Sequence, residues 1–347
     1  MLHLFFPLVI LISAFSRKHR IFFHLALLML FGFAALRYGY GNDYFSYSRC
    51  FAEIRLMNAN PFPGEWLFTA LNRILPHYNW LIAITSLAFV CAIGCLIRRN
   101  VPDHAVWISF ALLLINPYLF LMHLSAIRQC MALVCFVFAV PFAIRRKPLP
   151  YVLLCLMACG FHNSAVILLP AYFIANDRRM SRLSTLLTAA GVLALLGWGD
   201  ALPAFLGKVL GWLRLFRYQH VLDEGVQNSL RATILSSVPF LYLMWRLPHL
   251  RGTTLVYAKL WLAGALMSVL AFHLSKLTRP EMYFDLFCIV AFPRMLAQPH
   301  KGSTLSQALL NWLLPGLIVL ILLLRYYSFF TNPMWTSFFT YQTILQP

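Results

Sequence analysis

The chain has 347 residues, of which 61% are hydrophobic and only 11% are charged. One soluble core could not bury that much apolar surface, so the composition excludes an ordinary soluble globular protein. The formal net charge of +18 does not indicate a nucleic-acid partner, because many basic residues form short clusters between apolar runs. We therefore predict an all-α polytopic membrane protein whose apolar runs cross the bilayer as helices.

Basic clusters between the apolar runs predict the topology. Residues 2–15 are apolar, with no basic residue before them and no small-residue cleavage site, so we expect a retained first helix. If the cluster at residues 17–20 is cytoplasmic, the later basic clusters fall on the same side. This predicts about twelve spans with both termini outside. Residues 151–175 would cross twice and turn at His162, although one long tilted helix also fits.

Two outer loops follow from this topology. Within a single integral membrane domain, residues 1–347, we expect a periplasmic loop with short helices at residues 37–78. We expect a second, amphipathic periplasmic loop at residues 200–231. Nearly all carboxylates and many arginines fall outside, against the positive-inside bias, and charge placed in this way usually has a function. We therefore expect the active site on the periplasmic side of a bacterial inner membrane.

The first outer segment begins at Arg37 and reads RYGYGNDYFSY. Its two glycines permit sharp turns and a close approach to a ligand, whereas Tyr44 and Tyr47 offer ring faces and hydroxyls that suit sugars. Asp43 is the lone acid in this segment. An aromatic interface belt with a turn and a structural salt bridge is the alternative interpretation.

Glu65 follows a turn at residues 60–64 and begins a short amphipathic helix. We interpret it as a second carboxylate that converges with Asp43 as a general base or acid. The alternative is a favourable charge at the N-terminus of that helix.

Arg128, in HLSAIRQC, lies beside Gln129 immediately before an apolar run. A guanidinium binds phosphate oxygens as a fork, which suits a lipid diphosphate at headgroup level. A side chain that snorkels to the interface is the alternative.

Two further outer turns carry candidate residues. His162, in CGFHNSA, lies between two half-length apolar stretches, where a histidine is usually a hydrogen-bonded packing residue. Arg279 and Tyr283, in SKLTRPEMYF, lie at another outer boundary together with Glu281. Basic and acidic groups therefore occur together at this boundary as well.

Several reaction classes have no signature in this sequence. We find no P-loop, no GxGxxG, GxSxG or HExxH motif and no histidine-rich cluster, so nucleotide hydrolysis and metalloprotease chemistry have no support. The eight cysteines lie mostly inside apolar runs and lack zinc-site spacing. We expect no cofactor and no metal.

Five short motifs resemble the EpsG and Wzy group of bacterial polysaccharide polymerases. Their order, spacing and outer placement agree with that group over nearly the whole chain. They are R-x-G-x-G-x-D-Y-x-x-Y at residues 37–47, E-x-L-F from Glu65, S-A-I-R-Q ending at Gln129, F-H-x-S-A at residues 161–165, and R-P-x-x-Y-F from Arg279.

The resemblance implies an O-antigen or exopolysaccharide polymerase that joins oligosaccharide repeat units carried on undecaprenyl diphosphate. Such a transfer must stabilise the departing diphosphate and remove a proton from the acceptor hydroxyl. The resemblance also implies membrane lipids and a separate chain-length regulator protein as partners. Our assignment of roles covers the candidate residues named above. The arginines at 37, 128 and 279 would bind the diphosphate, and Gln129 and Tyr283 would be further substrate-binding residues. Asp43 or Glu65 would be the base, His162 would be a second candidate base or a positioning donor, and Tyr44 and Tyr47 would hold the sugar.

Three other functions stay open at this point. An O-antigen ligase would use the same donor and share arginines and a histidine outside. A transporter or flippase for the lipid-linked sugar would carry its charges deep within the spans, whereas the charges here gather at span boundaries. A structural membrane partner would not need so many outer carboxylates and arginines.

Overall fold

The structure is a computed structural model that describes residues 2–197, 230–274, 277–298 and 305–345. Most of these residues lie in helices, and the strands among them form one ladder of two short strands. The α-helices are α1 (Leu2–Ala14), α2 (Ile21–Ala35), α3 (Tyr44–Leu56), α4 (Trp66–Ile74), α5 (Tyr78–Asn100), α6 (Val106–Ile115), α7 (Leu121–Ser125), α8 (Ile127–Ile144), α9 (Pro148–Phe161), α10 (Ala171–Ile174), α11 (Arg182–Gly197), α12 (Leu230–Arg246), α13 (Gly252–Leu270), α14 (Thr278–Asp285), α15 (Cys288–Ala297) and α16 (Leu305–Thr331). The strands are β1 (Arg37–Tyr38) and β2 (Gln342–Thr343).

Four of these helices are long and apolar enough to cross a membrane. They are α5, α8, α13 and the part of α16 at Leu310–Thr331, and seven shorter apolar helices accompany them. Continuous apolar sequence favours helices there, because backbone groups in lipid must bond within their own segment. The protein is thus an all-α membrane protein, as predicted. The predicted count of about twelve spans stays a prediction.

The apolar stretch at residues 151–175 breaks where the sequence predicts a turn. Helix α9 ends at Phe161, and the next residue, His162, has an extended backbone at φ −153° and ψ 122°. A 3₁₀-helix, Asn163–Leu168, and the short α10 follow, so this stretch is not one long helix. Tyr151 donates a hydrogen bond from its hydroxyl to the carbonyl oxygen of Leu168, which ties the two halves together at 2.5 Å.

The chain forms two compact units. The first contains Met1–Asn176, Cys288–Gln298 and Leu322–Pro347, and the second contains Asp177–Phe287 and Pro299–Ile321. In the first unit α8 packs along α9 and against α5, and α5 also packs on α2. In the second, α13 packs on α12 and α14.

The first unit also contains the segment that follows α16. Strands β1 and β2 pair antiparallel, with Arg37 opposite Thr343. The ring of Tyr341 stacks on Phe33 at 4.4 Å, and Gly41 donates its backbone N–H to Ser337 O at 3.3 Å. This segment, residues 332–343, therefore fixes the backbone of the turn just before α3; we call it the C-terminal strap.

The two predicted loops differ in how far the structure describes them. The loop at residues 37–78 contains β1, α3 and α4, so its short helices are present. The amphipathic loop at residues 200–231 lies, apart from its last two residues, outside the described residues.

Candidate active site

The site begins with two turns that place α3 and α4. Gly41 has φ +107°, which favours glycine, and a Cβ there would lie 3.2 Å from the Cβ of Ser125. Gly64 has φ +87°, and its Cβ would lie 2.9 Å from Oδ1 of Asn163. Both glycines let a turn approach a second chain segment more closely than a side chain would permit.

The carboxylate of Glu65 lies at the centre of the site. Glu65 is only 2% exposed, directly before α4. Its Oε2 accepts a hydrogen bond from Nη1 of Arg128 at 2.6 Å, and its Oε1 accepts from Nδ1 of His162 at 2.8 Å and from the backbone N–H of Asn163 at 3.2 Å. Both oxygens are therefore occupied by donors from α8 and from the end of α9.

Charge and burial act against each other at Glu65. Burial raises the carboxyl pKa, but the hydrogen bond from His162 and the charge and hydrogen bond of Arg128 lower it by more, so the pKa lies below its ordinary value of 4.5. Glu65 is thus ionised at neutral pH. A carboxylate with a lowered pKa and two occupied oxygens is a weak proton acceptor, and its ion pairs make it an organiser of its neighbours.

The geometry determines which nitrogen of His162 carries the proton. An ionised carboxylate only accepts hydrogen bonds, so Nδ1 must donate to Glu65. In a neutral ring Nε2 then has its lone pair free. Among the described residues Nε2 makes no hydrogen bond, and the His162 side chain is 14% exposed. His162 is therefore placed to accept a proton from a bound molecule.

Arg128 connects Glu65 to an aromatic wall. Its Nε donates to the hydroxyl of Tyr47 at 3.2 Å, and its guanidinium lies 3.9 Å from the centre of the Phe62 ring. Burial raises the pKa of Tyr47, so its hydroxyl stays protonated. The two bonds to Glu65 and Tyr47 use two of the five N–H donors of a guanidinium. Since the side chain is 23% exposed, the remaining donors can serve an anionic ligand.

Asp43 is attached to the same stretch of chain as Arg128. Its Oδ2 accepts from the hydroxyl of Ser125 at 3.2 Å, and that hydroxyl oxygen accepts from the Asp43 backbone N–H at 3.1 Å. Ser125 and Arg128 are three residues apart, at the junction of α7 and α8. Asp43 and Glu65 therefore converge on one junction, and Asp43 is the exposed carboxylate of the two.

Tyr44 has a supporting position beside Asp43. It is 4% exposed, and its carbonyl oxygen accepts from the hydroxyl of Tyr78 at 2.8 Å. Its ring lies edge-on to that of Tyr78, with centres 5.2 Å apart. This packing connects the first turn of α3 to the first turn of α5.

Arg37 does not lie on the open side of this cluster. Its side chain is 1% exposed and donates to Ser86 Oγ and to Leu124 O, each at 2.9 Å, and to Ala34 O. A buried guanidinium with three protein acceptors connects α2, α5 and α7. The geometry favours a supporting role for Arg37 over the predicted contact with diphosphate.

The sequence as a whole matches a family model. The model describes the EpsG family and matches residues 20–343, a range that includes every residue of the site. The chain belongs to the EpsG family. No curated protein and no solved structure gives a significant match. EpsG membership indicates a polysaccharide polymerase type of function, which is a form of glycosyl transfer.

The other predicted residues of this EpsG chain lie in different surroundings. Gln129 is 4% exposed on α8, next to Arg128. Arg279 and Tyr283 lie on α14 in the second unit, where Arg279 is exposed and Tyr283 is fully buried. Their predicted contact with substrate stays a prediction.

Two residues of the EpsG site were not predicted from the sequence. Asn163 contributes a backbone donor to Glu65 and a side-chain donor to Pro63 O at 3.0 Å, and Phe62 forms the ring face under Arg128. The only available signal was their position beside His162 and within the turn before Glu65. Within the described ranges, no three His, Cys, Asp or Glu side chains converge in a way that could hold a metal ion.

Proposed function

We propose that this EpsG-family protein joins oligosaccharide units carried on undecaprenyl diphosphate, at the periplasmic face of a bacterial inner membrane. One observation carries the proposal. The buried Glu65 carboxylate holds a histidine and an arginine in hydrogen-bond contact at once. Glycosyl transfer from a diphosphate needs a proton acceptor and a cation within one site, and these two side chains supply both.

His162 acts as the general base in this scheme. The acceptor hydroxyl oxygen attacks the anomeric carbon of the donor sugar, and its proton moves to Nε2 of His162. The bond between that carbon and the diphosphate oxygen breaks, and the electron pair leaves with the diphosphate. Glu65 holds the ring in the tautomer that accepts a proton and stabilises the imidazolium that forms.

Arg128 stabilises the leaving diphosphate through its unused N–H donors. Fixed donors directed at developing charge contribute about 3–4 kcal/mol of transition-state stabilisation per group in comparable sites. Tyr47 and Phe62 hold the guanidinium in place. Asp43, exposed and bonded to Ser125, stays the alternative base.

A gel of surface polysaccharide tests the proposal. A deletion strain is complemented with wild type, His162→Ala or Arg128→Ala, and membrane expression is measured in parallel. We expect core plus a single repeat unit in the deletion strain, and a full ladder only with the wild type. A deletion strain that attaches no repeat at all would indicate a ligase, and an unaltered ladder in that strain would refute the polymerase.

A further inference from the structure

An open cleft lies beside α4 and the turn that precedes it. Its volume is about 370 Å³, at the lower end of the ~300–1,000 Å³ typical of small-molecule sites. This size suits a ligand the size of a mono- or disaccharide. The residues around it come from the turn before α4 and from one helical face. They are Asn60, Gly64, Trp66, Thr69, Ala70, Arg73 and Ile74.

The side chains of the cleft combine a flat ring with fixed polar groups. Trp66 is 63% exposed, so its indole face is available to a ligand. Arg73 donates a hydrogen bond from Nη2 to Oδ1 of Asn58 at 2.7 Å, which fixes the side chain. Its other N–H donors take no part in that bond. The Asn60 side chain is exposed, and its Oδ1 accepts a hydrogen bond from the hydroxyl of Thr69 at 3.5 Å. Among the residues that the structure describes, no carboxylate lines the cleft.

The cleft adjoins the reaction centre through its own walls. The Nε1 atom of Trp66 lies 3.1 Å from the point where a Cβ of Gly160 would stand, two residues before His162. Gly64 lines the cleft, and a Cβ at its position would lie 2.9 Å from Oδ1 of the exposed Asn163. The cleft therefore adjoins the chain segment that carries His162 and Asn163.

We propose that this cleft is a sugar subsite, which binds one pyranose ring of the lipid-linked oligosaccharide next to the ring that reacts. The C–H face of a pyranose would stack on Trp66, and its hydroxyls would bond to Asn60 and Arg73. Aromatic faces beside directional polar groups suit a polyhydroxy ring better than they suit a hydrocarbon chain. The inference rests on the proposed function, because it supplies the substrate class.

Binding is measured without any reaction, so that the two proposals can fail separately. The probe is the lipid-free repeat-unit oligosaccharide, released by mild acid from the lipid-linked pool of a deletion strain. Purified protein in nanodiscs is titrated with it by calorimetry and by saturation-transfer NMR. The variants are Trp66→Ala and Trp66→Phe, with Trp80→Ala as a matched control, since Trp80 is exposed to 54% but lies outside the cleft.

We expect saturable binding to the wild type, to Trp80→Ala and to His162→Ala. Binding to Trp66→Ala should weaken roughly tenfold, and Trp66→Phe should restore part of it because a flat ring remains. Arg73→Gln should weaken binding as well, whereas Arg55→Gln on α3 should not. In polymerisation assays Trp66→Ala should raise KM and leave kcat nearly unchanged.

Two outcomes would overturn the subsite. One is absence of binding to the wild type, and the other is equal binding by Trp66→Ala and Trp80→Ala while the protein stays folded. Either result leaves the assignment of His162 intact. Conversely, full polymerisation by His162→Ala together with weak binding by Trp66→Ala would remove the proposed mechanism and keep the subsite.

Discussion

Replacement of Glu65 by glutamine tests the geometry most directly, because the amide has nearly the same shape. Oε1 of Glu65 faces two donors, from His162 and Asn163, and Oε2 faces Arg128. A glutamine has one accepting oxygen and one donating nitrogen. In either orientation of the amide, its N–H₂ group therefore faces at least one hydrogen-bond donor. The hydrogen bonds to His162, Asn163 and Arg128 cannot all be kept.

The amide oxygen should remain on Arg128, because an unpaired charge costs more than a histidine that changes tautomer. The amide nitrogen of the introduced glutamine would then donate to Nδ1 of His162, so that Nε2 carries the proton and cannot accept another. A wrong tautomer of this kind lowers kcat by about 10⁴-fold in a well-studied hydrolase. We expect a loss of about 10³–10⁴-fold, equivalent to about 4–5.5 kcal/mol of barrier.

The assay is polymerisation of lipid-linked repeat units by purified protein in nanodiscs, with the melting temperature measured on the same samples. Glu53→Gln is a matched control, since Glu53 on α3 makes no ion pair with any described residue. A folded Glu65→Gln protein with a kcat within about threefold of the wild type would refute the assignment of His162 as base, because such a change is under 1 kcal/mol of barrier.

Three further predictions concern stability. Because the pKa of Glu65 is lowered, the folded state binds fewer protons than the unfolded chain near pH 4.5. The stability that Glu65 contributes is therefore present above that pH and is lost as the pH falls through the folded pKa. Melting temperatures measured across acidic pH should show this loss, and the loss should be smaller in Glu65→Gln. Arg37→Lys should lower the melting temperature, because a lysine ammonium cannot reach all three acceptors that the planar guanidinium binds. An unchanged melting curve would exclude the supporting role. Gly64→Ala should lower the free energy of unfolding by about 1–3 kcal/mol, because the position has φ +87° and its Cβ would lie 2.9 Å from Asn163. Gly191→Ala is the matched control, since a Cβ at Gly191 would meet open space.

Much of the local structure can be predicted from the sequence. Long apolar runs predict helices, and the polar pair at residues 162–163 predicts the end of α9. The turn at residues 60–64 predicts the start of α4 at Trp66. These predictions succeed because each depends on residues close together in the chain.

Long-range partners are the part that sequence patterns leave open. Glu65 meets Arg128 and His162 across 63 and 97 residues, and no local signal records such a pairing. Arg37 follows an apolar helix, a place that suits an interfacial side chain as well as a buried one. The burial of Arg37 depends on Ser86 and Leu124, which are brought beside it only by the packing of α5 and α7.

Helix breaks also limit any count of spans by hydropathy. Residues 106–125 are apolar enough to read as one span, yet α6 ends at Ile115 and α7 begins at Leu121. Pro117 lies in the gap, and its missing N–H and restricted predecessor favour a break there. An apolar run thus predicts that a segment lies within the membrane more reliably than it predicts one continuous helix.

The C-terminal strap has a consequence for how the protein is made. A chain emerges from the ribosome with its N-terminus first. Residues 37–43 therefore emerge some three hundred residues before their partners at residues 332–343. The turn that carries Asp43 therefore lacks these partners until residues 332–343 have been synthesised. A chain that stops before residue 332 would contain Glu65, Arg128 and His162 but would lack the backbone bonds that order the turn before α3. Pairing of β2 with β1 therefore makes the order of the turn before α3 depend on the synthesis of residues 332–343.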